Sequence, residues 1–281
     1  KNNIMSNIEK IINDAWEIKD QINPNSDKKI IDAINEAFEL LDSGKLRVCQ
    51  KENGEWKTNQ WLKKAIMLSF RTNEMEILKG PYCYWRDKKN LIRGKTVGYD
   101  DDRYAKAGFR AVPNTVIRPS AFISKNAVIM PNSFVNCGAW IGENTMLDTG
   151  ARAGSCCVIG SNCHISAGTG IGGVLEPVQA LPTIVEDSVF VGAMCEVTEG
   201  CIIGEGSVLA SGITISASTK IVERSSGKIV YGKIPPYSVC VAGTLPDKKN
   251  PLSPSLACVV IIKTTDEQTR KKTSLNELLR D

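Results

Sequence analysis

The sequence offers chemistry at four places: a lone histidine, two carboxylates set among small residues, and an arginine at a boundary. His164 is the single histidine of the 281-residue chain. It is a candidate general base, although a corner histidine making one hydrogen bond is the commoner case. One imidazole is too few for a three-histidine zinc centre, so no metal is expected. Asp148 follows Leu147 where the surrounding pattern prefers glycine, a replacement expected to cost something in local conformation. Glu196 stands just before Val197. Either acid is suited to act as a general base. A hydrogen-bonded corner acid is the plainer reading of each. Arg110, in GFRAVP, is suited to clamp a carboxylate bidentately. On position alone, a surface ion pair is the simpler role.

A strict repeat must position these residues. From Ile117, steps of six reach Ile123, Ile129, Val135, Ile141, Leu147, Ala153, Ile159, Ile165 and Ile171. The phase breaks over GGVLEPVQALPTI and resumes at Val185, Val191, Val197, Ile203, Leu209, Ile215 and Ile221. The fourth residue after each aliphatic is usually small. Glycine directly follows it at Gly142, Gly160, Gly172, Gly192 and Gly204, where it is expected to permit the turn. A fixed short period is the signature of a solenoid. Three hexads close one triangular coil, with the aliphatics inward and coils stacked ~4.8 Å apart. The fold class expected is mainly β: a left-handed parallel β-helix of hexapeptide repeats over 111–226, with an outward loop at 172–184. Long loops on rigid scaffolds tend to carry function.

The flanks read differently. Residues 1–110 are expected to form a mainly helical domain with a linker. Ile4, Ile8, Ile11, Ile12 and Trp16 have helical spacing, and Pro24 ends that stretch. Ser26 or Asp27 caps a second helix, which Gly44 stops. A hairpin turns at Asn53-Gly54, WLKKAIMLSFR forms a third helix, and 79–110 is irregular. Residues 227–281 are expected to give strands and a short helix, a small β-rich segment capping the solenoid or covering a neighbouring subunit. Thirty-five basic against 31 acidic residues leave a charge of +4, too mild to argue for nucleic acid. No run of 18 apolar residues suggests a membrane span. The ten cysteines lack C-x-x-C spacing, which suggests buried small side chains in a reducing cytoplasm.

The residues resemble one family over nearly the whole chain: the tetrahydrodipicolinate N-succinyltransferases. QWLKKAIMLSFR, GFRAVP, FVNCGAW, ENTMLDTGARAGSC, GTGIGGVLEPVQALPTIVED, GAMCEVTEG and GKIVYGKIPPYSVCVAG are similar in order and spacing. IGGVLEP is more specific than any single hexad. The resemblance implies transfer of succinyl from succinyl-CoA to tetrahydrodipicolinate, with CoA as cosubstrate and no permanent cofactor. It implies that Arg110 and Asp148 hold the dicarboxylate acceptor and that Glu196 is a second catalytic candidate. It also implies a homotrimer with active sites between subunits, the outward loop folding over the acyl-CoA. On that reading the Gly173 N–H suits the thioester oxyanion, and the flat solenoid face near Gly192, Ala193 and Ala210 carries the pantetheine arm. Gly150 and Met194-Cys195 differ from the family pattern, where a bulkier residue and a basic-serine pair are expected. Two other readings are an acetyl-CoA-dependent transferase on the same scaffold and a non-catalytic trimeric solenoid.

Overall fold

A computed structural model describes residues 2–247, 249–250 and 252–279. Three helices form the N-terminal unit: α1 (Asn2–Glu17), α2 (Lys28–Asp42) and α3 (Gln60–Thr72). Asp27 is the cap of α2, its side chain accepting from the Lys29 N–H, and Gly44 at φ 71° follows its end. The apolar stripes close one core that includes Ile8, Ile12, Ile34, Leu41, Leu62 and Ile66. Strands β1 (Cys49–Glu52) and β2 (Glu55–Thr58) pair antiparallel around Asn53 and Gly54, both at positive φ.

The segment expected to be irregular is in part ordered. Strands β3 (Met75–Lys79) and β4 (Tyr84–Lys88) make a second hairpin, and α4 (Asp101–Ala107) is a short helix. The signal for α4 lies in its ends. Asp100 accepts from the Arg103 N–H, and Gly108 takes the left-handed conformation at φ 72°. A seven-residue helix is too short for a periodic stripe to reveal it.

The solenoid is a left-handed parallel β-helix of two-residue strands arranged in three faces. Face one runs from Phe122–Ile123 to Lys233–Ile234, face two from Arg110–Ala111 through Val208–Leu209, and face three from Val116–Ile117 to Thr214–Ile215. Rungs pair in parallel register, as in Ile123 with Ile141 and Ile141 with Ile159. The second residue of each strand points inward, and Ile129, Ile141, Leu147, Ile159 and Ile165 are fully buried. Each such side chain contributes about 1.5–3 kcal/mol on burial. After Ile159 the partner is Val185, because the outward loop adds residues between rungs.

Two expectations about this repeat need correction. The coil does not fade after Ile221. Ile234 pairs with Ile203, and Cys240 with Leu209, after an antiparallel excursion of Ile221–Glu223 with Ile229–Val230. Cys240 is too small to stand out as a core aliphatic, and the excursion hides the period. Nor does the glycine after each aliphatic serve the turn. The left-handed residue is the third after the aliphatic, as at Asn126, Asn144, Gly150, Asn162 and Gly168. The glycines one residue after are held by close stacking: a Cβ on Gly142 would lie 2.4 Å from the Gly160 carbonyl carbon. Asp148 is not at positive φ, so its carboxylate carries no conformational cost of that kind.

The C-terminal strands Ser238–Leu245 and Leu256–Thr264 pair antiparallel. Helices α5 (Glu267–Lys272) and α6 (Leu275–Leu278) follow, while Arg280 and Asp281, at the end of the expected terminal helix, lie outside the described residues. All ten cysteines are free; nine are buried and Cys83 is exposed. No helix among the described residues is long and apolar enough to cross a membrane.

Candidate active site

The three edges of the solenoid are covered unequally, and this decides where chemistry can happen. The edge between faces three and one lies under the N-terminal helices: its Cys137 and Cys156 belong to their core. Face one is covered by the first hairpin, where Cys49 packs with Val158 and Ile184. The C-terminal end of face two is covered by α6, whose Leu278 packs with Val208 and Val239. Face three and its edge with face two carry no such cover among the described residues.

Asp148 stands on that open edge, directly after buried Leu147. Its backbone N–H donates to the Ile165 carbonyl and its Oδ1 accepts from the Thr149 N–H at 2.7 Å. Its Oδ2 lies 3.7 Å from His164 Nε2, and the Asp148 side chain is 31% exposed. His164 is on a flat strand of face two rather than at a corner, and its ring stacks on Phe190 with centroids 5.3 Å apart. Gly192 and Ala210 follow Val191 and Leu209 in the same column as Asp148, with Ala193 next to Gly192. The structure therefore puts these three on the edge and not on the flat face. The N–H groups of Gly192 and Ala210 are taken by the carbonyls of Leu209 and Cys240.

Glu196 projects outward from face three, half exposed, and makes an ion pair with Arg152. The two are separated along the column by Gly170, which pairs with Arg152 on one side and Glu196 on the other. A Cβ at Gly170 would collide with the Glu196 carboxylate and the Arg152 guanidinium. Arg110 lies on the first strand of face two, exposed, in the column Arg110–Val128–Met146. It stands two rungs from the level of Asp148, ~10 Å along the axis. Gly173 lies at the opposite edge of face three, packed on the backbone of Gly154 and Ser155. Its N–H takes no acceptor among the described residues. One chain thus sets Asp148 and the Gly192 column on the open edge, places Arg110 and Glu196 each two rungs from the level of Asp148 in opposite directions, and leaves Gly173 at the far edge of face three.

The outward loop is tied down. Lys63 of α3 is fully buried, and its Nζ donates to the Ala180 carbonyl at 2.6 Å. Burial pushes its ammonium below the usual lysine range, with the Cys156 and Cys49 thiols acting the other way. Leu175 packs against the helical core. A cavity of about 470 Å³ between loop and solenoid is lined by Gly172, Gly173, Glu176, Leu181 and Thr198 among others. No cluster of three metal-ligating side chains occurs among the described residues.

The family described as "Tetrahydrodipicolinate N-succinyltransferase N-terminal" matches residues 7–72. "Bacterial transferase hexapeptide (six repeats)" matches 138–173, and "Hexapeptide repeat of succinyl-transferase" matches 182–217. The 2,3,4,5-tetrahydropyridine-2,6-dicarboxylate N-succinyltransferase of Pelagibacter ubique (strain HTCC1062) is 59% identical over 277 residues, 99% of this chain and 100% of that protein. The enzyme of that name from Parvibaculum lavamentivorans is 52% identical over 283 residues, 99% of each chain. The chain belongs to this family. It is a hexapeptide-repeat acyltransferase, and the tetrahydropyridine-dicarboxylate N-succinyltransferases are its relatives from end to end.

Two residues of this N-succinyltransferase family member escape a reading of the inward repeat. Arg152 is outward, next to inward Ala153, so a search for aliphatics passes over it. Aligning the sequence at the coil period would have set Arg152, Gly170 and Glu196 in one column, once the inserted loop was subtracted. Lys63 reads as one more charge on a helix. Only its place in the helical stripe, between Leu62 and Ile66, signals burial.

Proposed function

We propose that the protein transfers the succinyl group of succinyl-CoA to the amine of tetrahydrodipicolinate, in its open-chain 2-amino-6-oxopimelate form, within diaminopimelate and lysine synthesis in the cytoplasm. The observation that carries this reading is the full-length identity with N-succinyltransferases, at 59% without a gap in coverage. The open edge supplies groups of the right kind. Asp148 takes the ammonium proton, and the neutral amine attacks the thioester carbon. The oxyanion that forms is held by backbone N–H donors such as that of Gly173, and CoA leaves as the thiol. Arg110 holds an acceptor carboxylate from two rungs away, a span matched by a seven-carbon dicarboxylate and an arginine arm. Glu196 assists at the amine. The pantetheine arm runs along the edge at Gly192, Ala193 and Ala210. Asp148 and Gly173 lie at opposite edges of one chain, so a homotrimer completes the site, with loop and base from neighbouring subunits.

The test is thiol release. Micromolar enzyme with succinyl-CoA and L-2-aminopimelate is expected to liberate CoA at steady state, with acceptor-dependent kinetics. No acceptor-dependent thiol release removes the reading.

A further inference from the structure

We propose that Arg152 is a ligand-binding residue of this site and reads a carboxylate of one of the substrates. The inference rests on the proposed succinyl transfer for the identity of those substrates, and on geometry for the rest. Face three presents Phe134, Arg152, Gly170, Glu196 and Thr214 in successive rungs. The side chain missing at Gly170 leaves a notch, and Arg152 and Glu196 lean into it from either side. A second, weak contact lies beside it: Arg152 Nη1 is 3.5 Å from the Gly168 carbonyl, on the edge shared with Asp148. The cation therefore lies along the edge that holds the candidate base, half exposed.

An arginine has five N–H donors in a planar fork. One goes to Glu196 and one, weakly, to Gly168. The remaining donors have no partner among the described residues, and the Arg152 side chain is 50% exposed. A free carboxylate fits such a half-used fork, with Glu196 orienting it by holding one nitrogen. Both proposed substrates carry suitable carboxylates: the acceptor has two, and the succinyl group one at its far end. Met194 lays its thioether over Gly168, an apolar surface on the same edge.

The test uses the full-length protein with L-2-aminopimelate as acceptor and succinyl-CoA or acetyl-CoA as donor. Arg152→Ala is expected to raise one substrate's KM by about 10–100-fold, the worth of a charge-assisted hydrogen bond, with kcat changed much less. If the acceptor is read, its KM rises with either donor. If the succinyl group is read, the preference for succinyl-CoA over acetyl-CoA falls and the acceptor KM holds. Arg152→Lys is expected to recover part of the loss. Gly170→Ala keeps both charges but puts a Cβ where they meet, displacing only flexible side-chain ends, and is expected to shift the same KM in the same direction. Wild-type KM values in both Arg152→Ala and Gly170→Ala would leave a surface ion pair and overturn the proposal. A wild-type enzyme that releases no CoA would instead overturn the succinyl-transfer reading, and direct binding of L-2-aminopimelate to wild type and Arg152→Ala would then decide the role of Arg152.

Discussion

One repeat builds two unlike sides of this molecule. On the covered edge, between faces three and one, polar groups are enclosed and satisfied: Lys63 is fully buried and spends its ammonium on the Ala180 carbonyl. On the open edge, between faces two and three, polar groups are unfinished. Asp148 has one backbone donor and an imidazole at 3.7 Å, and Arg152 has donors to spare. The hexads beneath both edges are alike, so the difference comes from what packs on them. Packing fixes the fold on one side, and its absence leaves reactive groups on the other.

Alkali should weaken the buried core, the covered side included. Burial pushes the thiols of Cys49 and Cys137 up to about 11, and that of Cys156 up to about 12, from the ordinary 9.0. Their folded values are raised, so the unfolded chain loses these protons first. The stability they represent is full below pH 9 and is lost as pH rises towards 11–12. Each thiol ionising only in the unfolded chain removes about 1.4 kcal/mol per pH unit. Lys63 and Lys95 have the opposite sign, since burial lowers their folded values, but burial raises the thiols of Cys157, Cys163, Cys195, Cys201, Cys240 and Cys258 as well, so the thiols prevail. Urea unfolding under reductant is expected to show stability falling steeply above pH 9. Cys156→Ala should flatten the slope by one thiol's share, and an unchanged slope would mean that Cys156 does not contribute to it.

The next effect belongs to the open side. Asp148→Asn keeps the acceptor for the Thr149 N–H and is expected to leave thermal stability within ~1 kcal/mol. If Asp148 is the general base, kcat should fall at least ~100-fold. A near-normal rate would pass the role to Glu196, to be checked with Glu196→Gln. A matching loss of stability would erase the distinction between the two sides, since Asp148 would then be structural.

What the sequence made legible follows the same division. The inward positions of Ile117 to Ile171 and Val185 to Ile221 are forced by burial, and burial leaves a period that can be counted. The loop was legible as a break in that period. Lys233–Ile234 and Ser238–Leu245 were not, because the excursion before them shifts the register and Cys240 is small. Asp148 was found as an exception to a glycine preference, but for a reason the backbone corrects: stacking, not turn conformation, sets that preference; Glu196 was found by its place just before Val197. Arg152 was missed because an outward residue obeys no period, and its meaning arises only from Gly170 and Glu196 in neighbouring coils. Which edge is open depends on helices and a hairpin distant in sequence, so no local pattern announces it.

The smallest expected effect sharpens the boundary of the open site. His164 is the single histidine, is 40% exposed in its side chain, and faces Asp148 across 3.7 Å. That separation exceeds an ordinary hydrogen bond, so the imidazole does not lock the carboxylate. Its other contact is apolar: the ring stacks on Phe190, which in turn packs under α6. The histidine is thus a wall of the edge rather than a member of the proton path. His164→Gln preserves a polar tip and much of the volume, and is expected to lower kcat by less than ~10-fold, below the range of a lost general base. Its kcat profile between pH 5 and 8 should match wild type in shape, because the ring stands outside the proton path. A loss of ~100-fold or more, with the acidic limb of the profile displaced, would move His164 into the proton path and make Asp148 its partner rather than the base.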